Sequence, residues 1–103
     1  MDIEFEWDEE KNRINIRDHG LSLADGEDVF YDPFRTVRPD DDSGEGEDRW
    51  QTMGMAGKVL FVVYTERGEK TRIISVRIAE PFERRIYYGN RNTYPQGWRR
   101  INP

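Results

Sequence analysis

His19 is the only histidine in the chain, and cysteine is absent. An imidazole exchanges its proton near neutral pH, so His19 can act as general acid, general base or phosphate ligand. Its alternative role is to satisfy the carbonyls at a helix end. Arg72 and Arg77 fall in the segment from Thr71 to Ala79, whose alternation predicts a strand. An arginine inside an inner strand is costly unless a carboxylate pairs with it or its face binds an anion. Its planar fork of donors suits phosphate. Five positions separate the two arginines, so strict alternation sends them to opposite faces. Arg77 then shares a face with Ser75 and Ile73, and Arg72, near a hairpin, reads as an edge residue. Glu83, Arg84 and Tyr87 follow on a predicted helix, with Glu83 and Tyr87 on one side of it.

A carboxylate, a guanidinium and a phenol beside a strand arginine have the makings of a metal-free phosphodiester-cleaving site. RNA supplies its own nucleophile, the 2′-hydroxyl. A protein need only orient it, accept its proton, stabilise the charged phosphorane and protonate the leaving 5′-oxygen. The competing readings are an Arg77–Glu83 ion pair and an ordinary polar helix face.

The elements that would hold these groups follow from local pattern. Ile3 to Trp7 alternates as a short strand. Asp8 is a helix N-cap, Glu9 and Glu10 suit the positive dipole end, and the helix runs to about His19 with Gly20 in the left-handed position. Four-residue steps place Lys11, Asn15 and His19 along one side. Ser22, with Asp25 three residues on, caps a second helix carrying Leu23, Val29 and Phe30, which Asp32-Pro33 ends. Gly26 within it lowers helix propensity by about 1 kcal/mol. Arg35 to Arg38 and Arg49 to Ala56 read as strands. Val59 to Tyr64 is continuously apolar, so it should be a central strand covered on both faces. A hairpin loop at Glu66 to Glu69 leads to the arginine-bearing strand. Pro81 opens the last helix, Phe82 and Ile86 should pack inward, and Gly89 stops it. The order predicts an α+β fold: an N-terminal strand and two helices, then an antiparallel sheet of three or four strands and a C-terminal helix. The helices should cover one sheet face. The core should close at Gly89, giving a domain over 1–89 and a basic tail over 90–103.

Composition excludes several classes. There is no thiol chemistry and no disulfide framework. One histidine with carboxylates is a poor zinc set, and no metal or cofactor is expected. No apolar run is long enough to span a membrane, and the acidic, alternating N-terminus is no signal peptide, so a cytoplasmic globular domain is expected. Nucleotide-binding glycine loops and the metalloprotease helix motif are absent. Residues 1–48 hold 17 acidic and 5 basic side chains, net −12, and residues 49–103 hold 4 and 11, net +7. This asymmetry fits an acidic segment beside a phosphate-meeting surface, or two halves that neutralise each other in one fold. The acidic stretch from Pro39 to Asp48 lacks calcium-loop spacing and reads as a solvated loop. The tail carries Arg91, Tyr94, Trp98, Arg99 and Arg100, which could bind RNA by charge and stacking.

The assembled pattern resembles the BrnT toxin family. It begins with Trp7-Asp8-Glu9-Glu10-Lys11-Asn12-Arg13-Ile14-Asn15 and His19-Gly20-Leu21-Ser22, and continues through Val29-Phe30, Asp32-Pro33, Arg49-Trp50, Gly54 and Val62 to Thr65. It closes with Arg72 to Arg77 and Glu83 to Tyr87, covering roughly residues 3 to 88. The resemblance implies a fold akin to the RelE-type ribonuclease toxins. It implies a toxin that cuts RNA and stops translation, neutralised by a BrnA-like antitoxin that itself reads DNA. Catalytic positions carried over are His19, Arg72, Arg77, Glu83 and Tyr87. Lys11, Asn15, Trp50 and Arg84 are expected to contact substrate, and Trp7 to support the site. The alternative is a non-catalytic protein-binding module of the same fold. The longer tail departs from the family pattern.

Overall fold

The computed structural model describes residues 2–41, 48–89 and 97–101. The order is β1 (Glu4–Glu6), α1 (Glu9–His19), a 3-10 helix (Leu23–Tyr31), β2 (Thr36–Pro39), β3 (Arg49–Ala56), β4 (Lys58–Arg67), β5 (Lys70–Ile78), α2 (Pro81–Tyr88) and β6 (Arg99–Arg100). The fold is mixed α+β. Its sheet exceeds the expected three or four strands: among the described residues six lie in the order β1-β5-β4-β3-β2-β6. β1 runs parallel to β5, and the other neighbours are antiparallel. The extra members are short strands at the two edges.

Local signals set the element ends. The Asp8 side chain accepts from the Lys11 amide at 3.1 Å, and Gly20 closes α1 at φ 73°. That left-handed conformation costs glycine little. The Ser22–Asp25 capping box forms as expected, but the helix it opens is 3-10. Gly26 has a packing reason. A Cβ there would stand 2.8 Å from Cγ2 of Val76 and 3.3 Å from Cγ2 of Val62. At Gly54 a Cβ would lie 2.8 Å from Cγ1 of Val29 and 2.9 Å from its carbonyl oxygen. The two glycines let the 3-10 helix lie directly on the sheet.

β4 sits mid-sheet with apolar cover on both faces, as its composition predicts. On one face Leu60 and Val62 pack with Leu23, Val29, Ile73 and Val76. On the other, Val59 and Phe61 pack with Met53, Ala79, Tyr87 and Trp98. The helices therefore do not share one face: α2 lies opposite the 3-10 helix. Ile86 packs against this second core as expected, but the other inward residues differ. Phe82 is 46% exposed, whereas Glu83 and Tyr87 are buried, because each polar end finds a partner described below.

Trp98 corrects the expectation that the core closes at Gly89. It is 3% exposed, its ring meets Phe61 edge-on at 5.9 Å between centroids, and the Arg38 guanidinium stacks on it at 4.6 Å. The adjoining β6 pairs with β2, Thr36 opposite Arg100 and Val37 opposite Arg99. Arg91 and Tyr94, and residues 42–47 of the acidic stretch, lie outside the described residues.

One irregularity decides the site. Between Val63 and Tyr64 the β4–β5 register shifts: Val63 faces Ser75, but Tyr64 faces Ile73. Ile74 is thus an extra residue, a β-bulge that inverts the alternation. Ile73 joins Val76 in the core under the 3-10 helix. Arg72 stands opposite Thr65, Ser75 opposite Val63 and Arg77 opposite Phe61, so all three share the face that carries α2. The expectation that Arg72 and Arg77 point to opposite faces is corrected accordingly, and Ile73 leaves the face of Arg77.

Candidate active site

The strongest local structure around the predicted residues is the Arg77–Glu83 pair. The two donate and accept through two parallel hydrogen bonds, Nη1 to Oε1 at 2.7 Å and Nη2 to Oε2 at 2.9 Å. Oε1 of Glu83 also accepts from the Glu80 amide at 2.8 Å, within the capping box of α2. Beneath the pair, the Arg77 guanidinium lies 4.1 Å from the centre of the Phe61 ring. Strand, helix N-terminus and aromatic ring together hold one guanidinium in one plane. Burial pushes the Glu83 carboxyl up. The Arg77 hydrogen bonds and the Glu80 amide outweigh that and hold it below the usual range. The hydrogen bonds to Glu83 raise Arg77 in turn. Both groups are charged at neutral pH.

Arg72 makes a similar pair. Its Nε donates to Oε2 of Glu6 at 2.8 Å, across the β1–β5 register. Both side chains are a little over a quarter exposed. Four β4 positions separate the residues opposite Arg72 and Arg77, so the backbones at the two arginines stand roughly 13 Å apart at strand rise. Half-buried Ser75 lies between them. Gln51 and Arg38 continue the same face toward β2, joined at 2.7 Å. Glu4 and Lys70 add a looser pair at 3.9 Å. The acidic N-terminal strand thus meets the basic strand β5 directly, which realises part of the neutralisation that the charge split permits.

The other predicted residues fall elsewhere. Tyr87 is buried, and its hydroxyl donates to Oδ2 of Asp32. Burial, and then the neighbouring carboxylate, push that phenol above its ordinary range. Asp32 also accepts from the Phe34 and Met55 amides at 2.8 and 2.7 Å, so Tyr87 ties α2 to the turn after the 3-10 helix. Asn15 does not lie open beside Lys11 and His19. It is 4% exposed. Its Oδ1 accepts from the Val76 amide at 3.0 Å, and its Nδ2 donates to the Val76 and Leu21 carbonyls at 2.8 and 2.7 Å. β1 pairs only as far as Arg72, and Asn15 occupies the strand edge beyond it. With these bonds made, Asn15 ties α1 to the edge of β5. Lys11 and His19 are exposed on α1, and no hydrogen bond or ion pair among the described residues joins them to Arg72, Arg77, Glu83 or Tyr87. Trp50 stands opposite Tyr64, on the face that carries the 3-10 helix. The Nη1 of Arg84 donates to the Ala79 carbonyl at 2.9 Å. The Trp7 indole donates to Glu9 at 3.1 Å.

Sequence reasoning missed Glu6, Phe61 and Asp32. Glu6 carried a signal, an acid in an alternating strand, but its partner depended on a pairing 66 residues away.

The sequence model for the ribonuclease toxin BrnT, of type II toxin–antitoxin systems, matches residues 7–83. The chain belongs to the BrnT family. The match spans α1 and all of β2 to β5 and reaches Glu83, so both members of the Arg77–Glu83 pair lie inside the BrnT region. Among solved structures, the 1.1 Å crystal structure of the Brucella abortus ribonuclease toxin BrnT is similar in fold, with TM-score 0.58 and 24% identity, over 77% of this chain and 99% of that one. No curated protein sequence matches. Trp98 and β6 lie beyond the family match. No helix among the described residues is long and apolar enough to cross a membrane.

Proposed function

We propose that the chain is an endoribonuclease that cleaves RNA through its 2′-hydroxyl without a metal, acts in the cytoplasm to stop translation, and is neutralised by a BrnA-like antitoxin. Kinship with the RelE-type ribonuclease toxins belongs to the same proposal. The observation that carries it is the alignment of Arg72, Ser75 and Arg77 on one sheet face, with Arg77 preset by Glu83 and Phe61. In this reading Arg77 meets the phosphorane, where a donor held in place before reaction stabilises charge without reorganisation. Arg72 binds the neighbouring stretch of phosphate backbone, and Ser75 donates between them. Glu83 is a positioning residue for Arg77, and Tyr87 for α2. His19 and Lys11 contribute charge and proton exchange from α1.

The test is purified chain incubated with RNA in EDTA, with the new ends mapped. The expected product carries a 2′,3′-cyclic or 3′-phosphate, and Arg77→Ala lowers the rate by about 100-fold or more. Cleavage abolished by EDTA and restored by magnesium overturns the metal-free mechanism. One observation favours a second reading, a non-catalytic binding module: both arginines already hold carboxylates. RNA left intact by stoichiometric protein that still binds its antitoxin is the result that reading requires.

A further inference from the structure

Beside the row of Arg72, Ser75 and Arg77, the molecule leaves large apolar side chains in water. Phe34 is 45% exposed, Met55 38%, Ile78 44% and Tyr88 65%. They are not scattered. One cleft of about 460 Å³ is lined by Phe34, Met55, Tyr87, Tyr88 and the Asp32-Pro33 turn, with Arg100 at its side. A second, of about 370 Å³, is lined by Met55, Val59, Ile78 and Tyr88, with Lys58 and Arg84. Met55 and Tyr88 belong to both, so the clefts form one groove around the end of the sheet at the β3–β4 turn. Contiguous exposed apolar surface of this kind marks an interaction site.

The charges around the groove select its occupant. Lys58, Arg84 and Arg100 are cationic. Asp32 is the one carboxylate among the described lining residues of the two clefts. It is already engaged by Tyr87 and by the Phe34 and Met55 amides. A partner must therefore bring large apolar side chains interspersed with acids. Nucleic acid would meet the cations but leave the apolar floor unmatched.

We infer that this groove, and not the row of Arg72, Ser75 and Arg77, is where the antitoxin docks, through an amphipathic acidic segment whose apolar side chains seat between Met55 and Tyr88. The inference rests on the toxin–antitoxin reading above. Neither cleft is lined by Arg72, Ser75 or Arg77. The groove includes Tyr87, one turn of α2 from Glu83, so an occupant bears on the helix that holds Arg77 in place.

The test uses the full chain and the purified protein encoded by the adjacent reading frame. Tyr88→Glu, Met55→Glu and Lys58→Glu are each assayed for complex formation by calorimetry and for RNA cleavage in the absence of partner. Circular dichroism verifies folding. Tyr88 is the most exposed of the four apolar residues, so its substitution is tolerated even if Met55→Glu unfolds. The expected result is affinity lowered about tenfold or more by Tyr88→Glu, the size of a central anchor residue. Lys58→Glu should weaken the complex and flatten its salt dependence, and cleavage should persist in all folded variants. Unchanged affinity in Tyr88→Glu and Lys58→Glu overturns the inference. So does a wild-type dimer in gel filtration that Tyr88→Glu splits, since a second copy then fills the groove. Loss of RNA binding in these variants also overturns it. Should the wild type cut no RNA while the variants still lose the partner, the docking site stands and the ribonuclease reading fails.

Discussion

At the scale of single residues, the pairing of Arg77 with Glu83 joins stability to chemistry. The Glu83 side chain is 6% exposed, so its charge depends on Arg77 and the Glu80 amide. Removing one partner leaves the other poorly compensated. Glu83→Gln keeps the shape but loses the charged acceptor, and it should cost about 1–3 kcal/mol at neutral pH. The pH dependence has a definite sign. The folded carboxyl lies below its ordinary value of 4.5, so its contribution is fully present above that value and is lost as pH falls through the lowered folded value. Urea unfolding at neutral and acidic pH should show the gap between wild type and Glu83→Gln closing in acid. An unchanged gap would mean that packing, and not the ion pair, is what the substitution removed.

At the scale of elements, the 3-10 helix and β5 owe their roles to close approach and to one extra residue. Gly26 reads in sequence as a weak point in a helix. In the fold it is the place where the helix touches Val62 and Val76. Gly26→Ala gains about 1 kcal/mol of helix propensity. It also forces a Cβ to 2.8 Å from Val76, and overpacking of this kind costs about 1–3 kcal/mol. Net destabilisation is expected, relieved when Val76→Ala is added in the same chain. A raised melting temperature in the single variant would show that the helix lifts off the sheet freely. The bulge at Ile74 has a comparable effect on β5. Without it, Arg72 would turn to the opposite face, and Ile73 would leave the core.

At the scale of the whole molecule, the described residues form a six-stranded sheet with apolar packing on both faces, and the second core is completed from beyond Gly89. Trp98 packs on Phe61 and carries Arg38 on its ring, and β6 extends the sheet past β2. Trp98→Ala should cost about 3–5 kcal/mol, the usual price of emptying a buried aromatic site. A domain of this size has only about 5–15 kcal/mol to lose. Thermal denaturation should therefore show a large fall in melting point, and truncation after Gly89 a larger one. A truncated chain as stable as the full one would place Trp98 outside the cooperative core.

Caps, turns and strand composition were legible in the sequence because each depends on neighbours a few residues away. Asp8, Gly20, the Ser22–Asp25 box and Pro81 mark element ends by local backbone chemistry. The apolar run from Val59 to Tyr64 marks a covered strand by composition alone. The family was legible too, since its motifs are local. What only the tertiary structure decided depends on pairing across long separations. The shift between Val63 and Tyr64 sets which residues oppose each other, and one extra residue reverses every side chain on one side of it, so no count along β5 alone could place Arg72 beside Arg77. The inward face of α2 was likewise undetermined, because Glu83 and Tyr87 can be buried only where Arg77 and Asp32 await them. Asn15 reads as an open polar residue on a helix until β1 stops at Arg72 and leaves the Val76 backbone for it to satisfy. Trp98 joined the core for the same reason: its partners Phe61 and Arg38 lie far back in the chain, and a single aromatic has no periodicity to announce its burial.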